Sequence, residues 1–485
     1  MKLTGNALFG VVVALTALGF MQIGFDNGLM GNLVTESSFL QTFDNPSSVI
    51  TALIVSIMDV GAFFGSIGTA LFGEDLGRRR SIALGVVIMM IGSVLQASSY
   101  SLAQMIVARI VAGVGLGVVN STSPVMMAEF APKATRGLYV CMQLTTLNLG
   151  ICLIYWIDFG FSGGSGSYVW RVPISLQWVL LIPMLALVYL VDETPRWLAA
   201  HDRNEEALDV LMRLNHGRMD EADVRALHED IVRTVAVEKQ LGAGSWSDLL
   251  RNDELQSQRR LLIACAVQAF QQLGGINAII YYSGTLFETS IGFSTHMSSL
   301  MSGFLQTWLF VASFIPWFLI DRIGRRPLLL SMVSVMAAVM AVQTALIYQV
   351  QHNTSISYAS GIAAAVMLFV FEGAFTIGFQ ATVWVYPAEI LPLRLRQRGS
   401  SISTAANWIC DYLIVQITPP AITNIGWRTY IIFTVFNVTW VPIIYFFFPE
   451  TKGLELEDVD RLFAGDSVAT AELFSGKGAE HMEME

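Results

Sequence analysis

The sequence predicts an all-α membrane protein of twelve transmembrane helices, arranged as two pseudo-symmetric six-helix bundles with a cytoplasmic helical linker. Three observations predict it. The 485-residue chain is 54% hydrophobic and only 14% charged, where a soluble domain carries roughly a quarter charged residues. Its apolar runs are long enough to cross a bilayer, which takes about 20 residues. Those runs fall in two sets of six, and short motifs recur between the sets.

In order, the first six runs lie at 7–25, 49–72, 81–98, 102–121, 138–159 and 172–191, and the second six at 261–285, 297–320, 327–349, 358–386, 400–418 and 428–448. The first lacks a cationic leader and runs into polar residues, so it reads as a retained helix. Residues 1–194 then form the N-terminal bundle, 195–259 the linker, 260–449 the C-terminal bundle, and 450–485 a short acidic tail, disordered beyond Phe463. In the linker, Val224, Leu227, Ile231 and Val235 recur at helical spacing, the pattern of an amphipathic cap.

Basic residues fix the expected orientation. Alternate loops hold Arg78, Arg79 and Arg80, then Lys133 and Arg136, the linker, Arg322, Arg325 and Arg326, and Arg394, Arg396 and Arg398. The intervening loops hold only Arg171 and Arg428. Both termini are therefore expected in the cytoplasm. The net charge of −10 comes largely from the soluble segments and does not point to nucleic acid. The cysteines, Cys141, Cys152, Cys265 and Cys410, have neither metal nor redox spacing and read as packing residues.

The repeat is specific. Trp170-Arg171 recurs as Trp427-Arg428 and Glu193-Thr194 as Glu450-Thr451, both 257 residues on. Glu129 precedes Arg136 by seven residues, as Glu389 precedes Arg396, and Gly77-Arg78-Arg79 matches Gly324-Arg325-Arg326. A duplicated six-helix unit working at the junction of its halves is a recurrent transporter plan.

These residues also carry a resemblance. Gly73-Glu74-Asp75-Leu76-Gly77-Arg78-Arg79-Arg80, Asp192-Glu193-Thr194-Pro195-Arg196-Trp197-Leu198, Gln271-Gln272-Leu273-Gly274-Gly275-Ile276-Asn277, Asp321-Arg322-Ile323-Gly324-Arg325-Arg326 and Pro449-Glu450-Thr451-Lys452-Gly453-Leu454 occur in that order. Together they resemble the sugar porter family of the major facilitator superfamily, over about residues 7 to 463. The runs at 155–160 and 384–390 are similar to its fungal monosaccharide and polyol branch, which includes hexose transporters and the yeast glycerol–proton symporter. The resemblance implies a sugar carrier working by alternating access, by proton symport or as an uncoupled facilitator of sugars or polyols. It implies no cofactor beyond a coupling proton, a monomer in the lipid bilayer, and a plasma-membrane location. A non-transporting sensor on the same fold is the rival, and the short tail argues against it. An enzyme is not expected, because no nucleophile–base or metal spacing lies in any span.

A sugar presents paired hydroxyls and an apolar ring face, so its site needs amides and aromatics with few charges. Gln271, Gln272 and Asn277, followed by Tyr281 and Tyr282, supply both on the seventh span. The resemblance adds Trp384 as the stacking ring, with Asn407 and Trp408. It places the fifth-span amide at Leu144, with Gln143 one place early, and the eighth-span amide at Leu309, with Gln306 nearest. Thr376 stands where many glucose carriers have an acid or glycine.

Charges inside the membrane are costly and read as functional. Asp26 ends the first apolar run and Arg109 lies in the fourth. By resemblance they pair, and protonating the acid frees the arginine. Asp59, Glu372 and Asp411 are further intramembrane acids, Asp411 replacing the more usual Asn. The resemblance makes Arg78, Arg79, Glu129, Arg136, Glu193, Arg196, Arg325, Arg326, Glu389, Arg396 and Glu450 gate and latch residues, their ion pairs closing one bundle against the other. Gly113, Gly115 and Gly117 read as close helix packing, and Asn353-Thr354-Ser355 has the form of a glycan acceptor motif.

Overall fold

A computed structural model of the protein describes residues 3–132, 136–164, 166–241, 256–353, 355–392, 395–452, 459 and 463. These residues form helices and no strands. The first bundle comprises α1 (Gly5–Leu33), the short surface helix α2 (Ser37–Thr42), α3 (Ser48–Leu76), α4 (Arg78–Ala97), α5 (Leu102–Phe130), α6 (Arg136–Phe161), and the consecutive segments α7 (Tyr168–Ser175) and α8 (Trp178–Leu190). Three small helices follow: α9 (Pro195–Ala200), α10 (Asn204–Leu214) and α11 (Glu221–Leu241). The second bundle opens with α12 (Ser257–Leu273) and α13 (Ile276–Thr285), then α14 (Thr295–Ala312), α15 (Pro316–Ile323) and α16 (Arg325–His352). It closes with α17 (Ser357–Phe375), α18 (Ala381–Ile390), α19 (Arg396–Ile425) and α20 (Arg428–Phe447).

Eleven of these segments are long and apolar enough to cross a membrane. The twelfth span is α19, whose 30 residues give it the length while Asn407, Asp411 and Gln416 lower its hydropathy. Successive spans run in opposite directions, so all the basic turns lie on one side, called here the basic side.

Several spans outrun their apolar runs. The first run stops at Asp26, whereas α1 continues to Leu33, so Asp26 lies within the helix. A buried acid facing a protein neighbour interrupts the hydropathy but leaves the backbone ladder intact. The glycine run of α5 does what close packing requires. A Cβ on Gly113 would lie 2.1 Å from the Met58 carbonyl oxygen of α3, and one on Gly117 2.2 Å from that of Ala62. The seventh span breaks at Gly275, where φ is +99°. Glycine adopts that conformation without strain, and a Cβ there would press 2.9 Å from the Phe433 ring. The break separates the α12 amides from Asn277 of α13. The seventh and tenth spans also carry π-helical turns, at Leu286–Ile291 and Thr376–Gln380.

The bundles meet chiefly where α3 packs on α19, α6 on α14 and α1 on α13. In the linker, Thr194 caps α9 by accepting the Trp197 N–H, and Pro195 occupies the first turn, where its missing donor costs nothing. Helix α11 buries Val224 and Val235 along its amphipathic face, as its spacing predicted. The four cysteines are free thiols, consistent with a packing role. The tail expected to be disordered beyond Phe463 lies outside the described residues, and so does Thr354 of the Asn353 sequon; Asn353 itself accepts a hydrogen bond from Ser355 at 2.7 Å.

Candidate functional site: a buried polar seam between the bundles

The last turns of α12, the start of α13 and the middle of α19 place amides side by side. Asn407 is the hub. Its Nδ2 donates to Gln268 Oε1 at 2.7 Å and approaches Gln271 Oε1 at 3.4 Å, while its Oδ1 accepts from Gln272 at 2.9 Å. Asn277 Nδ2 lies 2.7 Å from Gln272 Oε1 and 2.6 Å from Asp411 Oδ1. Amides in lipid would lack partners; these find one another, within a protein interior. Gln268 was not singled out from the sequence, though it precedes Gln272 by four residues and shares its helix face.

Aromatic groups border the seam. Tyr282 donates to the Val415 carbonyl at 2.9 Å. Tyr281 Oη and Trp408 Nε1 are buried without a hydrogen-bond partner. Trp408 packs into the apolar core of the N-terminal bundle. Trp384 joins Phe20, Cys141, Leu144, Ile320 and Trp317 in an apolar cluster that crosses between the bundles. The Trp384 ring and the α12 amides therefore lie on adjoining spans.

The two positions that depart from the resemblance are resolved by their neighbours. Leu144 is part of that apolar cluster, while Gln143 is buried with both amide atoms unpartnered. Leu309 sits in the apolar core, while Gln306, one turn away, is likewise buried and unpartnered. A second feature escaped the sequence reading. Asn148 of α6 and Gln380 of the tenth span exchange reciprocal hydrogen bonds of 2.8 and 2.7 Å across the bundle boundary. Thr145 adds two more ties, accepting from Trp317 Nε1 at 3.0 Å and from Ser313 Oγ at 3.2 Å.

The buried charges cluster nearby. Gln22 donates to Asp26 at 2.9 Å. Arg109, fully buried, donates to the carbonyls of Ile54 and Val55 at 3.1 and 2.9 Å, and its Nη1 has no partner. Asp26 and Asp59 each lie within electrostatic reach of Arg109. No contact within 4.0 Å pairs Asp26 with Arg109, because the α3 carbonyls already hold the guanidinium.

At the basic side the expected ion pairs form inside each bundle. Glu193 accepts the backbone N–H groups of Arg78 and Arg79 at 2.9 and 3.1 Å, at the start of α4. Burial pushes its carboxyl up from its ordinary value, and N–H groups of Thr194, Arg79 and Arg78 pull it back. Glu450 accepts those of Arg325 and Arg326, both at 3.0 Å, at the start of α16. A helix N-terminus favours an anion. Each preceding glycine leaves room for it: a Cβ on Gly77 would stand 2.5 Å from the Glu193 carboxylate, and one on Gly324 2.7 Å from that of Glu450. Arg78 pairs with Glu129 at 3.0 Å and Arg325 with Glu389 at 2.8 Å. Arg79 and Arg326 bond to the Val188 and Tyr445 carbonyls. The Arg78–Glu129 and Arg325–Glu389 pairs each join two residues of one bundle. Arg196 is partly buried beside this cap. The side chains of Arg136 and Arg396 lie outside the described residues.

An apolar recess of about 480 Å³, lined by Met301, Phe304, Thr307, Trp308, Val311 and Phe369, is a weaker candidate. Phe304 and Val311 are exposed there, and the Thr307 hydroxyl already accepts from Trp156 at 2.9 Å.

Comparisons with known proteins give the family and the fold. A family model described as sugar (and other) transporter matches residues 12–463. The MFS-type transporter oryC of Aspergillus oryzae is 37% identical, over 95% of this chain and 86% of its own. The sugar transporter STL1 of Saccharomyces cerevisiae is 34% identical, over 95% and 82%. A high-affinity glucose transporter of Candida albicans is 32% identical, over 93% and 85%. Among solved structures, the proton:xylose symporter XylE bound to 6-bromo-6-deoxy-D-glucose superimposes with a TM-score of 0.80 at 23% identity, covering 95% of this chain and 100% of XylE. The likeness in structure establishes the major facilitator fold, with its twelve spans.

Proposed function

Because this chain belongs to the sugar (and other) transporter family, a family of multi-pass membrane transporters and not of enzymes, we propose that it carries a small sugar, a monosaccharide or a closely related polyol, by alternating access. The observation that carries this reading is the amide seam. Gln271, Gln272, Asn277 and Asn407 bond to one another with Trp408 next in sequence to Asn407, and on the other bundle the unpartnered Gln143 adjoins Leu144, whose apolar cluster includes Trp384, so each bundle supplies a hydroxyl-binding amide close in sequence to an aromatic contact. Tyr282 completes the seam's edge. A hydroxyl-rich solute entering the seam would exchange amide–amide bonds for amide–hydroxyl bonds, at small net cost. Relatives named as sugar and glucose transporters support the solute class.

Proton symport is the coupling mode proposed. Asp26 takes up and releases the proton, and Arg109 is the cation that competes for it; the intramembrane burial of both supports the assignment. One observation favours an uncoupled facilitator instead: Arg109 is held by the Ile54 and Val55 carbonyls and not by Asp26. The loop charges support both termini in the cytoplasm and the basic side facing it. A plasma-membrane location and a monomer as the working unit complete the reading.

Uptake of a panel of radiolabelled solutes (hexose, pentose, polyol, uronic acid and disaccharide) in a carrier-deficient yeast strain tests it. Uptake of at least one, abolished by a protonophore, is the expected result. Uptake that survives the protonophore replaces symport with facilitation, and no uptake of any solute overturns the reading.

A further inference from the structure

Helices α3 and α19 pack together across the bundle boundary, and the Ser56 hydroxyl donates to Gln416 Oε1 at 2.8 Å. That bond sets the antiparallel register. About one turn further along α3 comes Asp59, and somewhat more than one turn back along α19 comes Asp411. Each is 1% exposed. Neither Asp59 oxygen has a hydrogen-bond partner, and Asp411 accepts from Asn277. Tyr281 of α13 places its hydroxyl, fully buried and also unpartnered, within electrostatic reach of both carboxyls. The other groups acting on the pair are Arg109 of α5, which Asp26 of α1 shares, Tyr282 of α13 and, beside Asp411, Cys410. Among the described residues Arg109 is the single cation set against three acids. Two ionised carboxyls facing each other here repel, with too few donors to offset their burial.

We propose that Asp59 and Asp411 form a proton-binding site between the bundles, one carboxyl holding the proton and donating its O–H to the other. The inference rests on the alternating-access reading but not on the role given there to Asp26. One acid belongs to each bundle, so the site exists only while α3 and α19 are packed at this height. Parting the bundles on the side away from the basic loops hydrates both carboxyls and lets the proton leave. Closing them again binds one from the same side. The site therefore makes closure of that side pH-dependent and adds nothing to the charge moved per solute.

The test uses the full-length protein in nanodiscs, without solute. Spin labels at Ser47→Cys and Asn424→Cys, at the ends of α3 and α19 away from the basic side, report the opening; the four native cysteines are replaced in every arm. The expected result is a long-distance population that grows as pH rises, and that stays small at every pH in Asp411→Asn and in Asp59→Asn. In those variants an amide N–H takes the place of the shared proton. Asp26→Asn keeps a pH response. An unchanged pH profile in both seam variants overturns the proposal, as does a profile that shifts with sodium at fixed pH, which makes the ligand a metal cation. If one seam variant fails to give a monodisperse helical protein, the other carries the test. Since no solute is present, a failed uptake panel and a failed seam experiment remain separate outcomes.

Discussion

In the N-terminal bundle Glu193 holds the start of α4, and in the C-terminal bundle Glu450 holds the start of α16, through the same backbone donors and beside equivalent ion pairs. In their interiors the same two bundles have diverged. The first gathers charge, with Asp26 and Asp59 around Arg109; the second gathers a mutually bonded set of amides, Gln268, Gln272, Asn277 and Asn407, with Asp411 at its edge, and buries its other intramembrane acid, Glu372, on the tenth span. Duplication supplied the scaffold twice, and the basic ends kept it because every helix start at such a turn faces the same problem of unsatisfied N–H groups. The centres face different tasks, and only there did the polar residues part ways.

If that division holds, Asn407→Ala has the largest effect. It leaves Gln268 Oε1 and Gln272 Nε2 without their Asn407 partner, and the low end of about 1–3 kcal/mol per orphaned buried group, about 2 kcal/mol for the two, lowers uptake efficiency about 30-fold. Initial rates of D-glucose uptake in proteoliposomes measure it, and a loss below about threefold would break the assignment of solute binding to the second bundle. Asp26→Asn is expected to lower accumulation driven by a pH gradient about tenfold while leaving solute counterflow intact, as a coupling group requires; equal losses in both assays would make Asp26 a structural residue. Gln143→Leu sharpens the comparison from the other side. One hydroxyl contact contributed by the first bundle predicts a KM rise of several-fold, with kcat little changed. The smallest effect concerns the shared ends. Glu450 accepts from four backbone N–H groups, those of Arg325, Arg326, Thr451 and Lys452, where Glu193 accepts from the three of Arg78, Arg79 and Thr194. Glu450→Gln is therefore expected to cost about 1–2 kcal/mol and Glu193→Gln about 1 kcal/mol, as charge-assisted bonds weaken. Thermal melts of the two purified variants compare them, and the reverse order would contradict the cap geometry.

The spans, their alternation and the duplication were legible because lipid imposes length and hydropathy on every helix. Where the reading fell short, the missing information was three-dimensional. Asp26 read as the end of a helix because an acid interrupts an apolar run whether it faces water or a protein neighbour. The partners of Glu129 and Glu389, Arg78 and Arg325, could not be read from the seven-residue spacing, which says nothing about which helix end lies nearest. Gln268 had a usable signal in its four-residue spacing from Gln272. Asn148 and Gln380 had none: each is a single polar residue in an apolar span, and only their meeting across the boundary gives them a role.

That meeting has a mechanical consequence. Asn148 and Gln380 each give and accept one bond, and neither carries charge. Acidification, ionic strength and membrane voltage all act on charge, so none of them loosens this tie while the carboxyls around it change state. A contact that stays constant while its surroundings switch is what a fulcrum needs, and its place between the fifth and tenth spans marks the height about which the two halves would rock.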